Sequence, residues 1–127
     1  MSELERMRAL KMLTAAQFSR VQSLLASLTA KENRLRGNLA QLVSEKRNNA
    51  ERSDVGDVAR AAGADVRWHK WVDERRAVVN TELAHVLGQK LECQYRLRRA
   101  FGKDQALDKL VQRQRVLVAQ RQKQRLS

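Results

Sequence analysis

Phe18, Val21, Leu25, Leu28, Glu32, Leu35, Leu39 and Leu42 recur at alternating steps of three and four, and seven of these eight residues are apolar. An α-helix turns once per 3.6 residues. A sustained 3-4 spacing therefore holds a narrow apolar stripe on one helical face, wide enough for a single neighbouring helix. Leu4 and Met7 fall on the same register upstream, with Lys11 and Thr14 as polar interruptions. A chain built this way folds against another helix.

A second stripe follows the same spacing through Val79, Leu83, Val86, Lys90, Cys93, Leu97, Ala100, Asp104, Leu107, Val111, Gln114 and Val118, and nine of these twelve are apolar or small. The polar members Lys90, Asp104 and Gln114 weaken the seam, yet polar groups at such positions also fix register. Between the stripes the pattern stops. "NNAERSDVGDVARAAGAD", residues 48–65, holds Asn-Asn, Ser-Asp and glycines at 56 and 63, which are turn and cap residues. Ser53 or Asp54 is placed to cap a short helical turn, and Asp65 to cap the second arm.

The chain has no proline, and alanine, leucine, arginine and glutamine dominate it, so nothing breaks long helices. No alternating β-branched run suggests a strand. The expected fold is all-α: a long two-helix antiparallel coiled-coil hairpin in one domain, residues 1–127. Arm one spans about 3–50, a short and partly helical link about 51–64, and arm two about 65–124. The arms would be roughly 70 and 90 Å long. With the bend centred near residue 60, Glu32 and Lys90 fall at similar heights, where they can pair. One stripe per helix buries little surface, which predicts marginal stability, fraying ends and reinforcement by partners.

The net charge of +12 demands an account of partners. It is unevenly spread. Residues 1–47 carry nine basic and four acidic residues, 48–93 seven and eight, and 94–127 ten and two. In a hairpin the terminal half is strongly basic and the half near the bend almost neutral. Trp68 and Trp71, three residues apart, lie outside the basic half. Base stacking works best inside a positive groove that follows the phosphate backbone. Rings and charge at opposite ends argue against nucleic acid and for two protein-binding ends, with the tryptophans as anchors. The alternative is that one of the two rings packs on arm one or the link.

At this point the sequence resembles the FliJ/YscO family, the small coiled-coil stalk proteins of type III export systems, flagellar export included. The aromatic, second aromatic and aliphatic of "WHKWV" at the start of arm two are similar to the family's pattern. So are "LRRAFGKDQALDKLVQRQR", residues 97–115, and, more weakly, the N-terminal "MRALKMLTAAQF". The resemblance covers most of the chain. One departure is Arg75, where similar proteins carry an aliphatic residue.

The resemblance implies a stalk like the central subunit of a rotary ATPase. The paired terminal ends would enter a hexameric export ATPase through Arg6, Arg8, Lys11, Arg113, Arg115, Arg121, Lys123 and Arg125. The other end would meet the cytoplasmic part of the membrane-embedded export gate through Trp68, Trp71, Arg75 and Val78. Leu39 and Leu42 are lesser candidates there, because their seam spacing makes them core first. Escort chaperones for late substrates are further partners that the resemblance implies.

No catalytic set stands out. His69 and His85 are sixteen apart with no Cys or His partner at metal-ligand spacing, and Cys93 sits on the seam as a small hydrophobe. The Gly-Lys pair of "GKDQA" lacks the upstream glycine and the Ser/Thr of a P-loop. The expectation is a non-enzymatic protein with no metal and no cofactor. A single cysteine excludes an internal disulfide and suits a reducing compartment. "MSELERMRAL" has no apolar signal core, and no apolar run approaches the roughly 20 residues that cross a bilayer. A cytoplasmic protein without membrane insertion, peripheral to the inner-membrane export apparatus, is expected. Two other readings compete: a nucleic-acid binder acting through the basic half, and an export chaperone using the apolar stripes.

Overall fold

The computed structural model describes residues 2–52 and 58–127. Helix α1 spans Glu3–Arg52 and helix α2 spans Val58–Leu126, with no strand among the described residues. The fold is the expected all-α, two-helix hairpin.

Helix α1 starts where its sequence supplies a capping box. The Ser2 hydroxyl accepts a hydrogen bond from the Glu5 amide at 3.2 Å, and the Glu5 carboxylate accepts one from the Ser2 amide at 3.2 Å. Two backbone donors that the helix cannot satisfy are thereby paired. Helix α2 ends with Lys123 and Arg125 in its last turn, where positive charge complements the carbonyl end of the helix dipole.

Helix α2 starts earlier than the expected start of arm two. Helix α2 begins at Val58, so Asp65 lies inside it and does not cap it. Its carboxylate instead lies 3.2 Å from His69 Nε2, one turn on. The physical reason is propensity: the alanines at 59, 61, 62 and 64 favour helix strongly enough to carry Gly63 within it. Ser53, Asp54 and Gly56 fall outside the described residues.

Contacts divide the chain into two compact units, the first formed by Met1–Ala26 with Leu91–Ser127, the second by Ser27–Lys90. In the first unit, Val21, Cys93 and Val111 are buried, and the Phe18 and Phe101 rings meet at 5.6 Å. The Cys93 thiol points at the Val21 carbonyl, 3.7 Å away. In the second unit, Leu28, Leu35 and Leu42 of α1 pack with Val72, Val79, Leu83 and Val86 of α2. The two seams read from the sequence supply these cores except Val72, fully buried and one heptad before the start of the second stripe. Each fully buried aliphatic side chain contributes about 1.5–3 kcal/mol.

The polar interruptions meet one another. In the first unit, Lys11 Nζ lies 2.9 Å from Asp104 Oδ2, and the Thr14 hydroxyl donates to Asp104 Oδ1 at 2.8 Å. Lys11 and Thr14 therefore continue the seam rather than ending it, because the opposite helix brings a carboxylate to their level. The Lys11 and Thr14 hydrogen bonds hold the Asp104 carboxyl below its ordinary range, and the bond to Asp104 raises the Lys11 ammonium despite partial desolvation. In the second unit, Lys90 Nζ donates to Glu32 Oε1 at 2.7 Å, and Arg36 Nε to Glu32 Oε2 at 2.9 Å. The Glu32–Lys90 pair expected from register thus forms, and these two bonds, that from Lys90 first, lower the Glu32 pKa. A misregistered hairpin would leave these part-buried charges without partners, a cost that disfavours other alignments.

Candidate interaction surfaces

Trp68 is half-buried and Trp71 is 50% exposed. Their rings stack on each other, with centroids 5.3 Å apart and planes 22° from parallel. Neighbours three apart on a helix diverge in direction but lie within side-chain reach, and two indoles gain by covering each other. The pair therefore presents one aromatic surface, with its outer ring at Trp71.

Arg75 and Val78 continue from Trp71 at helical steps of four and three, so the three share a face of α2. Arg75 is exposed, and Val78 is 48% exposed. A groove of about 260 Å³ beside this face is lined by Asn38, Gln41, Leu42 and Glu45 of α1 and Trp71, Arg75 and Val79 of α2. Leu42 forms its floor, only 8% exposed, and Leu39 is half-buried. Both serve the seam first. A larger groove of about 530 Å³ in the same unit is bounded by Lys31, Arg34 and Asn38 on one helix and Thr81, Glu82, His85 and Gln89 on the other. Elsewhere in this unit, Lys46 Nζ donates to Asp73 Oδ1 at 3.0 Å and lowers the Asp73 pKa.

All eight basic residues expected at the terminal end belong to the first unit. Arg6, Arg8, Arg113, Arg115, Arg121, Lys123 and Arg125 are exposed, and none forms an ion pair among the described residues. Lys11 stands apart. Its ammonium is turned into the seam, engaged by Asp104 and, at 3.7 Å, by Asp108. Seven of the eight side chains are thus free of ion pairs among the described residues, and Lys11 is held in the seam.

One cluster went unread in the sequence. Arg20 of α1 and Arg96, Arg99 and Lys103 of α2 converge on a groove of about 310 Å³ in the first unit, floored by Val21 and Ala100. The Arg99 guanidinium also lies 5.9 Å from the Tyr95 ring. These positions flank the seam, and the 3-4 rule that locates the seam also locates its flanks. The available signal was the run Arg96, Arg99, Lys103 at that spacing.

No group of His, Cys, Asp and Glu suited to a metal ion occurs among the described residues, and no described helix is long and apolar enough to cross a membrane. No protein-family model, curated protein or solved structure matches the chain.

Proposed function

We propose that this chain is a non-enzymatic coupling protein of a type III, flagellar-type protein export apparatus. In this reading its basic terminal end inserts into a hexameric export ATPase, and its bend-side surface contacts the cytoplasmic part of the export gate. The protein works at the cytoplasmic face of the membrane, and escort chaperones are further partners.

The observation that carries the reading is the partition of chemistry between the two units. Fourteen basic and five acidic residues fall in the first unit, a net charge of +9. The second unit, with twelve basic and nine acidic residues, holds the stacked indoles beside Arg75 and Val78. Charge on one unit and an aromatic surface on the other suit a protein that joins two different partners. Basic side chains near the ends of both helices have the sign to meet acidic loops lining a ring. The family resemblance in "WHKWV" and in residues 97–115 supports the same reading.

The test is ATP hydrolysis by the export ATPase of the same source, measured with and without the full chain. Stimulation is expected, lost on charge reversal at Arg121, Lys123 and Arg125 and kept in Trp71→Ala. An unchanged hydrolysis rate with the unmutated protein would remove the stalk reading. The basic residues of 94–127 favour nucleic acid as the second reading, and it predicts DNA binding that falls steeply with salt and survives Trp71→Ala.

A further inference from the structure

We propose that the first unit carries a docking groove for an acidic, amphipathic helical segment of a protein partner, gripped by Arg20, Arg96, Arg99 and Lys103. None of these four cations is among the residues assigned above to the ATPase or the gate, and the proposal holds whichever machine the hairpin serves.

The groove lies between the two helices, with Val21 and Ala100 as its floor. Four cations surround it, and none is in an ion pair among the described residues. Arg96, Arg99 and Lys103 stand at helical steps of three and four on one stripe of α2. Like charges at such spacing repel, and a bound anion relieves that repulsion. On the α1 side the matching stripe is Leu10, Leu13, Gln17, Arg20 and Leu24, whose three leucines are exposed. The α2 stripe continues beyond Lys103 to Leu110 and Leu117, also exposed, with no acidic residue between Arg96 and Leu117 on that face. Cations thus line the groove, and exposed leucines stand on the same two helical stripes beyond it.

That combination selects the occupant. A helix lying in the trough reaches the recessed floor, covers leucines with its apolar side and presents carboxylates to the rim. A second copy of the chain is disfavoured, because this unit carries a net +9. A nucleic acid has no use for exposed leucines, and these two stripes carry no aromatic ring for base stacking. A bilayer surface meets protruding apolar ridges and cannot reach a floor recessed between two helices.

The experiment uses the full chain and four probes. They are a synthetic peptide of about 21 residues, roughly six helical turns, with leucines at 3-4 spacing flanked by glutamates; its Glu-to-Gln twin; a short DNA duplex; and vesicles containing phosphatidylserine. Binding is read by fluorescence anisotropy, or by co-sedimentation for vesicles, at about 150 mM salt, where exposed long-range charge effects are screened. The acidic peptide should bind at least ~10-fold tighter than its twin, and the double variant Arg96→Glu, Arg99→Glu should weaken it at least ~10-fold. The double variant Arg121→Glu, Arg125→Glu should change it less than ~3-fold, since those charges lie off the groove. Equal binding of the twin, tighter binding of DNA or vesicles, or equal losses in both double variants overturns the proposal. Circular dichroism checks that each variant stays helical. Should Arg96→Glu, Arg99→Glu lose helix, Arg20→Gln, on the other helix, takes its place and must weaken binding at least ~3-fold.

Discussion

Val78 and Val79 are adjacent, chemically identical and on one helix, yet Val79 is 2% exposed and Val78 48% exposed. Replacing either by alanine isolates burial from everything else. Each change removes two methyl groups, worth about 0.8 kcal/mol apiece when buried. The buried Val79 therefore loses about 1.6 kcal/mol, and the half-buried Val78 about 0.8 kcal/mol. A void beneath residue 79 adds roughly 0.5–1 kcal/mol. Both variants regain up to about 0.6 kcal/mol because alanine is the better helix former. Val79→Ala should thus destabilise by about 1.5–2 kcal/mol, and Val78→Ala by about 0.2 kcal/mol. The assay is urea unfolding followed by circular dichroism at 222 nm. Equal losses, or a larger loss at Val78, would refute the seam register on α2. The same pair separates stability from contact: Val78→Ala should weaken binding of a gate-type partner while leaving the fold intact.

Three further outcomes follow from the same geometry. Replacing Glu32 and Lys90 together by leucine should raise thermal stability, since a part-buried, partly desolvated pair is often less favourable than packed aliphatics, while size-exclusion chromatography should show new oligomers or mixed registers. If the double variant remains a single species, the pair does not specify alignment. Glu32, Asp73 and Asp104 all have folded pKa values below their ordinary values of 4.5, 3.8 and 3.8. Their stabilisation is present above those values and is lost as pH falls through the lowered folded ones, so melting temperature should decline only below about pH 4.5, less steeply in Asp104→Asn. The raised pKa of Lys11 adds stability that is present below its ordinary value of 10.5 and fades as pH climbs past the folded value. Gly88 and Gly102 lie in mid-helix, and a Cβ at either meets nothing within 4 Å, so alanine at each should stabilise by about 0.5–1 kcal/mol in the same urea assay.

The candidate surfaces were legible to different depths. Trp71, Arg75 and Val78 lie exposed on one face, as helical spacing required. Lys11 already stood on the seam register; what the spacing did not supply is its partner Asp104, 93 residues away on the other helix. The Arg20 cluster was missed for the same reason: it draws on both helices, and only the pairing of α1 with α2 makes four scattered cations one site. The stacking of Trp68 on Trp71 depends on rotamers, which spacing does not specify.

The periodicity of apolar residues, with no proline to break it, was sufficient by itself to predict two long helices and the face each buries. Those properties are local or follow from a single bend, so a one-dimensional pattern encodes them. The engagement of Lys11 by Asp104 and the convergence of Arg20 with Arg96, Arg99 and Lys103 were decided by tertiary structure. Each depends on which side chains two helices bring to the same level, and that is a property of their packing rather than of either sequence stretch alone.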